Sequence, residues 1–191
     1  MVQCLEHGGD HADHPRRRRA QRARRGDGPR DRRADVSEAG APARTARIRT
    51  AAARLCGQLG WAPLHEVVLP NGRRADILAL RPDGGFVCIE VKSGPRDFLA
   101  DAKWPDYRAC CDALFFAVDT DFPQALLPGD TGLIVTWELT AELLRDAPAH
   151  PLPPARRRAL LHRFALLAAG RLALHEDPAG AAMLRAGLLV E

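Results

Sequence analysis

The sequence predicts an α/β or α+β fold in which helices flank a mixed β-sheet. The hydrophobic pattern gives the order helix, three strands, helix, strand, strand and helices, without an internal repeat. The segment 86–91 is almost wholly apolar, which is typical of a central strand covered on both faces. Apolar residues make up 46% of the 191 residues, so the chain can bury a substantial core.

The first predicted element is a helix over residues 45–59. Ile48, Leu55 and Leu59 follow the 3.6-residue period, and Gly60 lies at the end of the pattern. These apolar side chains would form the face that packs on the sheet.

Three short strands are predicted next, separated by two turns. The turns are Pro-Asn-Gly at 70–72 and a Gly-rich segment at 81–85. The strands cover 65–69, 75–80 and 86–91, and short turns of this kind favour antiparallel pairing.

The rest of the chain adds two strands and three helices. A helix over 95–111 contains Pro105, which should interrupt or kink it. The other predicted elements are strands over 114–118 and 133–136 and helices over about 155–175 and 179–189.

The N-terminal segment 1–43 has a different composition, with ten Arg, seven acidic residues and almost no large apolar ones. We expect an Arg-rich disordered tail, because nothing here offsets the entropy of ordering. It is interpreted as a phosphate-holding basic arm, a solvated tail, or the product of a misplaced start codon. One domain is expected over 44–178, followed by a C-terminal helix or tail over 179–191.

Charge and cysteine content bound the class of protein. The chain carries a net charge of +4, but beyond residue 43 it has 18 basic and 17 acidic side chains. A nucleic-acid site must therefore come from local charge rather than overall excess. The five cysteines show no CxxC spacing, which favours free thiols in a reducing cytosol. No signal peptide or membrane span is predicted.

The residues that carry chemistry lie on the second and third strands. Glu90 and Lys92 are two positions apart and so share a face, and Asp76 would lie beside Glu90 if the strands pair. Two carboxylates at an apolar core are costly unless compensated, and Mg²⁺ or Mn²⁺ would compensate them, with the backbone carbonyl of Val91 as a further ligand. The alternative is a salt-bridge cluster in which Lys92 neutralises Glu90. Lys92 and Lys103 are the only lysines beside 26 arginines, which favours a specific role.

These residues, with their surroundings, resemble a known superfamily. Arg-Ala-Asp at 74–76 and Ile-Glu-Val-Lys-Ser at 89–93 are similar to the motif of the PD-(D/E)xK nuclease superfamily, the restriction-endonuclease-like fold. The block Lys-Trp-Pro-Asp-Tyr-Arg at 103–108 and Phe-Phe-Ala-Val at 115–118 resemble, more narrowly, the MmcB family of bacterial DNA-repair-related proteins. The resemblance covers about residues 44–178.

The resemblance implies an αβββαβ core with extra C-terminal helices. It also implies metal ligands at Asp76 and Glu90 and a catalytic role for Lys92. The sequence departs from the superfamily pattern in having Ala75 before Asp76 and no acidic residue in the first helix. Glu66 either takes the place of that acid or is a surface charge.

Several further residues around this motif are candidates for accessory roles. Asp97 and Asp101 lie four residues apart on one face of the predicted helix. They either extend the metal or phosphate network or only cap and solvate the helix. Lys103 is a further candidate for an accessory role. Trp104 and Tyr107 would stack on bases or belong to the core. The candidates for phosphate contacts are Arg73, Arg74, Arg96 and Arg108.

Three functions follow as hypotheses. The first is a Mg²⁺-dependent deoxyribonuclease, or a nuclease-like DNA-repair protein, that hydrolyses phosphodiester bonds. The second is a non-catalytic nucleic-acid-binding repair module with the same fold, and the third is a small interaction domain with structural charges. The expected partner is DNA, without a membrane, and a homodimer or a repair-protein partner is left open. The expected location is the cytoplasm, in association with the nucleoid.

Overall fold

The computed structural model describes residues 32–180, with side chains described over 40–180. Over residues 32–176, three α-helices flank one six-stranded sheet. The strands are β1 (Ala62–Val68), β2 (Arg74–Leu80), β3 (Phe86–Lys92), β4 (Ala113–Asp119), β5 (Gly132–Trp137) and β6 (Thr140–Arg145). The helices are α1 (Arg32–Gln58), α2 (Pro95–Ala100) and α3 (Pro154–Glu176), with 3₁₀ helices at Trp104–Cys110 and Gln124–Leu126.

The sheet is mixed, as predicted, and its strands lie side by side in sequence order. β1 to β3 form an antiparallel meander, β3, β4 and β5 are parallel, and β6 returns antiparallel to β5. β3 and β4 are buried along their whole length, because they lie centrally and helices cover both faces. The α+β class and the flanking helices are confirmed.

Within the described part of the chain, three hydrophobic clusters of buried residues line the sheet. Ile48 and Ala52 of α1 pack on one face with Ile77 and Ile89, while Phe164 of α3 belongs to the cluster on the other face. The expectation of free thiols is confirmed for the described cysteines, all of which are buried: Cys56, Cys88, Cys110 and Cys111. Cys4 lies outside the described residues.

Helix α1 begins earlier than the sequence pattern indicated. The prediction placed its start at residue 45, but the helix begins at Arg32, so 32–43 is helical rather than part of a disordered tail. This segment lacks large apolar residues, yet its alanines, including Ala39, Ala41 and Ala43, have high helix propensity. Residues 1–31 lie outside the described part of the chain, and the domain limits stay a prediction.

The predicted interruption of the helix over 95–111 is confirmed, although it falls at residues 101–103, before Pro105, and the second part is a 3₁₀ helix. α2 ends at Ala100, and a 3₁₀ helix resumes at Trp104 with Pro105 in its first turn. The break has a local cause, because the Asp101 carboxylate accepts a hydrogen bond from the backbone N–H of Lys103 at 2.8 Å. Such side-chain bonds compete with helical backbone bonds.

Strand β6 was not predicted. Its sequence, Thr-Ala-Glu-Leu-Leu-Arg, is rich in helix-forming residues, and the hairpin turn before it uses Glu138 at φ 52 rather than glycine. Alternate residues are exposed, while Ala141 and Leu143 pack towards α1. The helix predicted near 155–175 is confirmed as α3, and the one over 179–189 lies outside the described residues from 181 onward.

One buried carboxylate fastens the start of β4 to its surroundings. Asp112 accepts hydrogen bonds from the backbone N–H groups of Phe86 and Leu152, each at 2.7 Å. Arg157 of α3 binds both of its oxygens, at 2.6 and 2.8 Å. The bidentate pair therefore holds α3 against the edge of the central strands.

Candidate functional site

The site lies where β2 and β3 separate. Their paired residues run from Leu80↔Phe86 to Ile77↔Ile89, and Asp76 and Glu90 would form the next pair. Instead, Oδ2 of Asp76 accepts a hydrogen bond from the backbone N–H of Val91 at 2.8 Å. The Asp76 carboxylate thus accepts the hydrogen bond that a main-chain carbonyl of β2 would accept in a regular sheet, and Asp76 lies next to β3.

Glu90 and Lys92 lie on the same face of β3 and are nearly fully buried, at 7% and 3% exposure. Nζ of Lys92 donates to Oε1 of Glu90 at 3.0 Å and to Oδ2 of Asp101 at 2.6 Å. The segment after α2 therefore closes over the lysine. The structure brings together four predicted site residues, Asp76, Glu90, Lys92 and Asp101.

Burial and neighbouring carboxylates raise the pKa values of both strand carboxylates. Burial, with Asp76 beside it, raises the pKa of Glu90 to about 8. Burial also raises the pKa of Asp76, against the opposing effect of the bond from Val91. Without further compensation, Glu90 is mostly protonated near neutral pH.

The lysine and its second acceptor shift in the opposite sense. Burial alone would lower the pKa of Lys92, but Glu90 and Asp101 outweigh it and raise the value. Burial likewise opposes ionisation of Asp101, yet its bonds to Lys92 and Lys103 hold its pKa below the usual range. The Lys92–Asp101 pair is therefore charged.

The main chain of Val91 supplies a further oxygen on the same side. In a strand, the N–H and C=O of one residue point to the same neighbour. Since the Val91 N–H points to Asp76, its carbonyl also faces the gap between β2 and β3.

Tyr107 contacts the site from the core. It is only 6% exposed, so of the two alternatives for this residue the structure favours core packing over base stacking. Its hydroxyl donates to the carbonyl of Arg74 at 3.1 Å. Burial and the nearby carboxylates of Glu90 and Asp76 raise its pKa. The sequence pattern, an aromatic residue on a predicted helix, did not indicate this hydrogen bond between Tyr107 and Arg74.

Trp104 lies mainly against the core as well. Its ring meets Phe116 edge to face with centroids 5.5 Å apart, and the guanidinium of Arg108 lies 5.7 Å from its centroid. This arrangement fits the packing alternative better than base stacking.

The remaining accessory candidates lie at the rim. Oδ2 of Asp97 accepts bonds from the N–H and hydroxyl of Ser93, at 3.1 and 3.3 Å, and so fastens the start of α2 rather than contacting Lys92. The side chains of Lys103 and Arg96 are exposed. The structure does not bring these three into the carboxylate–lysine cluster.

Glu66 faces the site from β1. It lies between the pairs His65↔Ile77 and Val67↔Ala75, at the position opposite Asp76, with a left-handed φ of 50°. Its carboxylate is bound by Arg49 and by Nε of Arg74, the latter at 2.7 Å. Glu66 is thus already paired, close to Asp76 but not aimed at a common ion.

Two other predicted phosphate contacts are also engaged by acids. Arg73 pairs with Asp106 at 2.8 Å, and Arg108 pairs with Asp130 at 2.7 Å. These pairs are partly exposed, so they stabilise the fold little and can be exchanged for another anion.

Two observations limit a metal site. Within residues 40–180, no three or more His, Cys, Asp or Glu side chains are grouped so as to hold an ion. Asp76 and Glu90 supply two carboxylates, and the main-chain carbonyl of Val91 supplies a further oxygen atom. A surface groove of about 480 Å³ is lined by residues that include Arg108, His150 and Arg156, away from these carboxylates. The residues that line this groove include no carboxylate, whereas Asp76 and Glu90 offer the hard oxygen atoms that Mg²⁺ prefers.

The fold and the cluster define an α+β protein whose mixed sheet holds two carboxylates and a lysine at a break between strands. The chain belongs to the MmcB-like DNA repair protein family, whose model matches residues 32–179. Family membership supports a role in DNA repair.

One solved structure is similar over most of the chain. It is the SPO1766 protein of unknown function from Silicibacter pomeroyi, with 42% identity and a TM-score of 0.69. The match covers 71% of this chain and 93% of that one. No curated protein matches the chain. In the described part of the molecule, no helix has the length and apolar character needed to cross a membrane.

Proposed function

We propose that this protein is a metal-dependent DNA nuclease of the PD-(D/E)xK type that hydrolyses phosphodiester bonds in DNA repair. The observation that carries the proposal is the convergence of Asp76, Glu90 and Lys92 at the break between β2 and β3. Neighbouring strands that simply paired would not place a carboxylate between them. Such an enzyme would act in the cytoplasm, at the nucleoid.

The residues present fit a Mg²⁺ or Mn²⁺ ion. Asp76, Glu90 and the carbonyl of Val91 would hold it, since all three offer hard oxygen atoms. Two buried carboxylates whose pKa values are both raised are stabilised in their ionised form by a cation between them. When bound, the ion would stabilise charge on a phosphate and lower the pKa of a water molecule.

The chain's own residues have separate tasks in this proposal. Lys92 orients the attacking water or neutralises charge that develops on the phosphate. Asp101 keeps Lys92 in place through the 2.6 Å bond. Tyr107 binds the carbonyl of Arg74, two residues before Asp76, and so helps to fix the start of β2 from which Asp76 projects.

A non-catalytic nucleic-acid-binding module is the second candidate. It is favoured by the pairing of Lys92 with two carboxylates and by the lack of a third ligating side chain among the described residues. In that case the cluster would be structural, and DNA would bind without being cleaved.

The test is cleavage of labelled single-stranded, duplex, flap and branched DNA by the full chain with Mg²⁺ or Mn²⁺. Glu90→Gln is the informative variant, because an amide replaces a carboxyl group that is mostly neutral in the metal-free fold. Glu142→Gln, at an exposed position of β6, removes the same charge elsewhere. Cleavage lost only in Glu90→Gln supports the nuclease. Binding without cleavage favours the second candidate, and light scattering of the same samples shows whether a homodimer forms.

A further inference from the structure

Three arginines from three different elements converge on the irregular residue of β1. Arg49 of α1 and Arg74 of β2 bind separate oxygens of the Glu66 carboxylate. Arg171 of α3 donates to the carbonyl of His65 at 2.6 Å and to that of Glu66 at 3.4 Å. We call Arg49, Arg74 and Arg171 the arginine cluster.

The arginine cluster has more positive charge than its own acid neutralises. Two guanidinium groups bind the single carboxylate of Glu66, and the third, that of Arg171, binds only main-chain carbonyls beside it. The effect reaches His65, whose pKa is lowered by burial and by the charges of Arg49 and Arg171. The cluster therefore carries positive charge that favours a further anionic group, such as a phosphodiester, at this place.

Glu66 is a replaceable partner. The side chains of Arg49, Arg74 and Glu66 are 30%, 66% and 33% exposed, so solvent and ligands reach the ion pairs. Pairs this exposed contribute little net free energy. The two arginines bind the two oxygens as they would bind two oxygens of a phosphate.

The location points to the ligand. Glu66 lies opposite Asp76, so an anion that took its place would lie beside the carboxylate–lysine cluster. We propose that the arginine cluster is a phosphate subsite for a DNA strand, and that a backbone phosphate displaces Glu66 from Arg49 and Arg74. This inference rests on the proposed function, since the same strand would continue to Asp76 and Glu90.

Removal of the competing carboxylate is the most specific test. DNA binding by the full-length Glu66→Gln protein is measured by fluorescence anisotropy in EDTA, with a labelled single-stranded oligonucleotide and a duplex. We expect binding about two- to fivefold tighter than wild type, because the two arginines no longer have an internal partner. Glu142→Gln removes the same charge at a distant strand and should leave the affinity close to wild type.

The complementary test removes the arginines. Arg74→Ala and Arg49→Ala should each weaken binding about three- to tenfold and reduce the salt dependence by no more than about one phosphate contact, since both arginines share one phosphate. Arg54→Ala, an exposed arginine elsewhere on α1, is the control and should change both far less. Thermal melting of each variant establishes that it is folded. Because the Arg74 side chain is highly exposed, Arg74→Ala should fold normally, and it still tests the subsite if Glu66→Gln does not fold.

The outcomes separate this inference from the proposed function. Equal or weaker binding by folded Glu66→Gln, together with an Arg74→Ala protein that matches Arg54→Ala, would overturn the subsite. Binding is measured without metal, so a protein that never cleaves DNA still tests it. Conversely, cleavage that depends on Glu90 but is insensitive to Glu66 and Arg74 would leave the nuclease standing and remove the subsite.

Discussion

Uptake of Mg²⁺ by the carboxylate–lysine cluster should release a proton. Glu90 has a pKa of about 8 in the metal-free protein, so about nine-tenths of the molecules carry its proton at pH 7. A cation needs the ionised carboxylate. Binding at pH 7 should therefore release close to one proton per ion, and at pH 9 only about a tenth of one.

The same pKa sets the pH dependence of metal affinity. Each pH unit below 8 costs about 1.4 kcal/mol for removal of the Glu90 proton, so affinity should rise about tenfold from pH 6 to 7 and level off above 8. Isothermal titration calorimetry in two buffers of different ionisation enthalpy measures both quantities. Mn²⁺ provides a tighter-binding probe of the same site.

The matched control is Glu90→Gln, which should lose most of the affinity and show no proton release. Binding by the wild-type protein that is independent of pH between 6 and 8, or that survives this substitution, would refute the reasoning. It would mean that Glu90 is not a ligand or that Lys92 keeps it ionised.

The remaining predictions concern stability. The folded-state pKa of Glu90 lies above its unfolded value of 4.5. The free energy of unfolding without metal should therefore fall by up to about 4 kcal/mol as pH rises from about 4.5 to 8. Denaturant titrations measure this fall, which should be absent in Glu90→Gln. Asp112→Asn breaks a buried bidentate pair and should destabilise the fold by about 3 kcal/mol or more, seen as a large fall in Tm; an unchanged Tm would show that the pair contributes nothing. Gly132→Ala should cost about 1–3 kcal/mol, since the added Cβ would lie 2.1 Å from the Phe115 ring, whereas Gly129→Ala meets nothing within 4 Å and should melt like wild type.

The central strands and the carboxylate–lysine cluster could be predicted because their signals are local. The apolar run of β3 and the turns around it fix the hairpin, and alternation then places Glu90 and Lys92 on one face. The sequence also indicated that Asp76 approaches Glu90. It did not indicate that the ladder stops there, because strand separation depends on the side chain of Asp76 itself.

The contacts that escaped prediction come from residues far apart in sequence. Arg171 is 106 positions from His65, the residue whose carbonyl it binds, and no local pattern links α3 to β1. Tyr107 reaches back 33 positions to Arg74. β6 escaped because tertiary packing overrides the helix propensity of its residues. Long-range pairing of this kind requires the assembled fold.

The bond between Asp76 and the Val91 amide gives this sheet a built-in spectroscopic reporter. Ile89, two residues earlier on β3, pairs with residues of both β2 and β4. On the β2 side of Val91, by contrast, the amide proton is bound by a titratable carboxylate, that of Asp76. Its NMR chemical shift and its exchange with deuterium should therefore follow whatever binds Asp76, a proton or a cation. One amide resonance would report occupancy of the gap between β2 and β3 in the intact protein, before any turnover is observed.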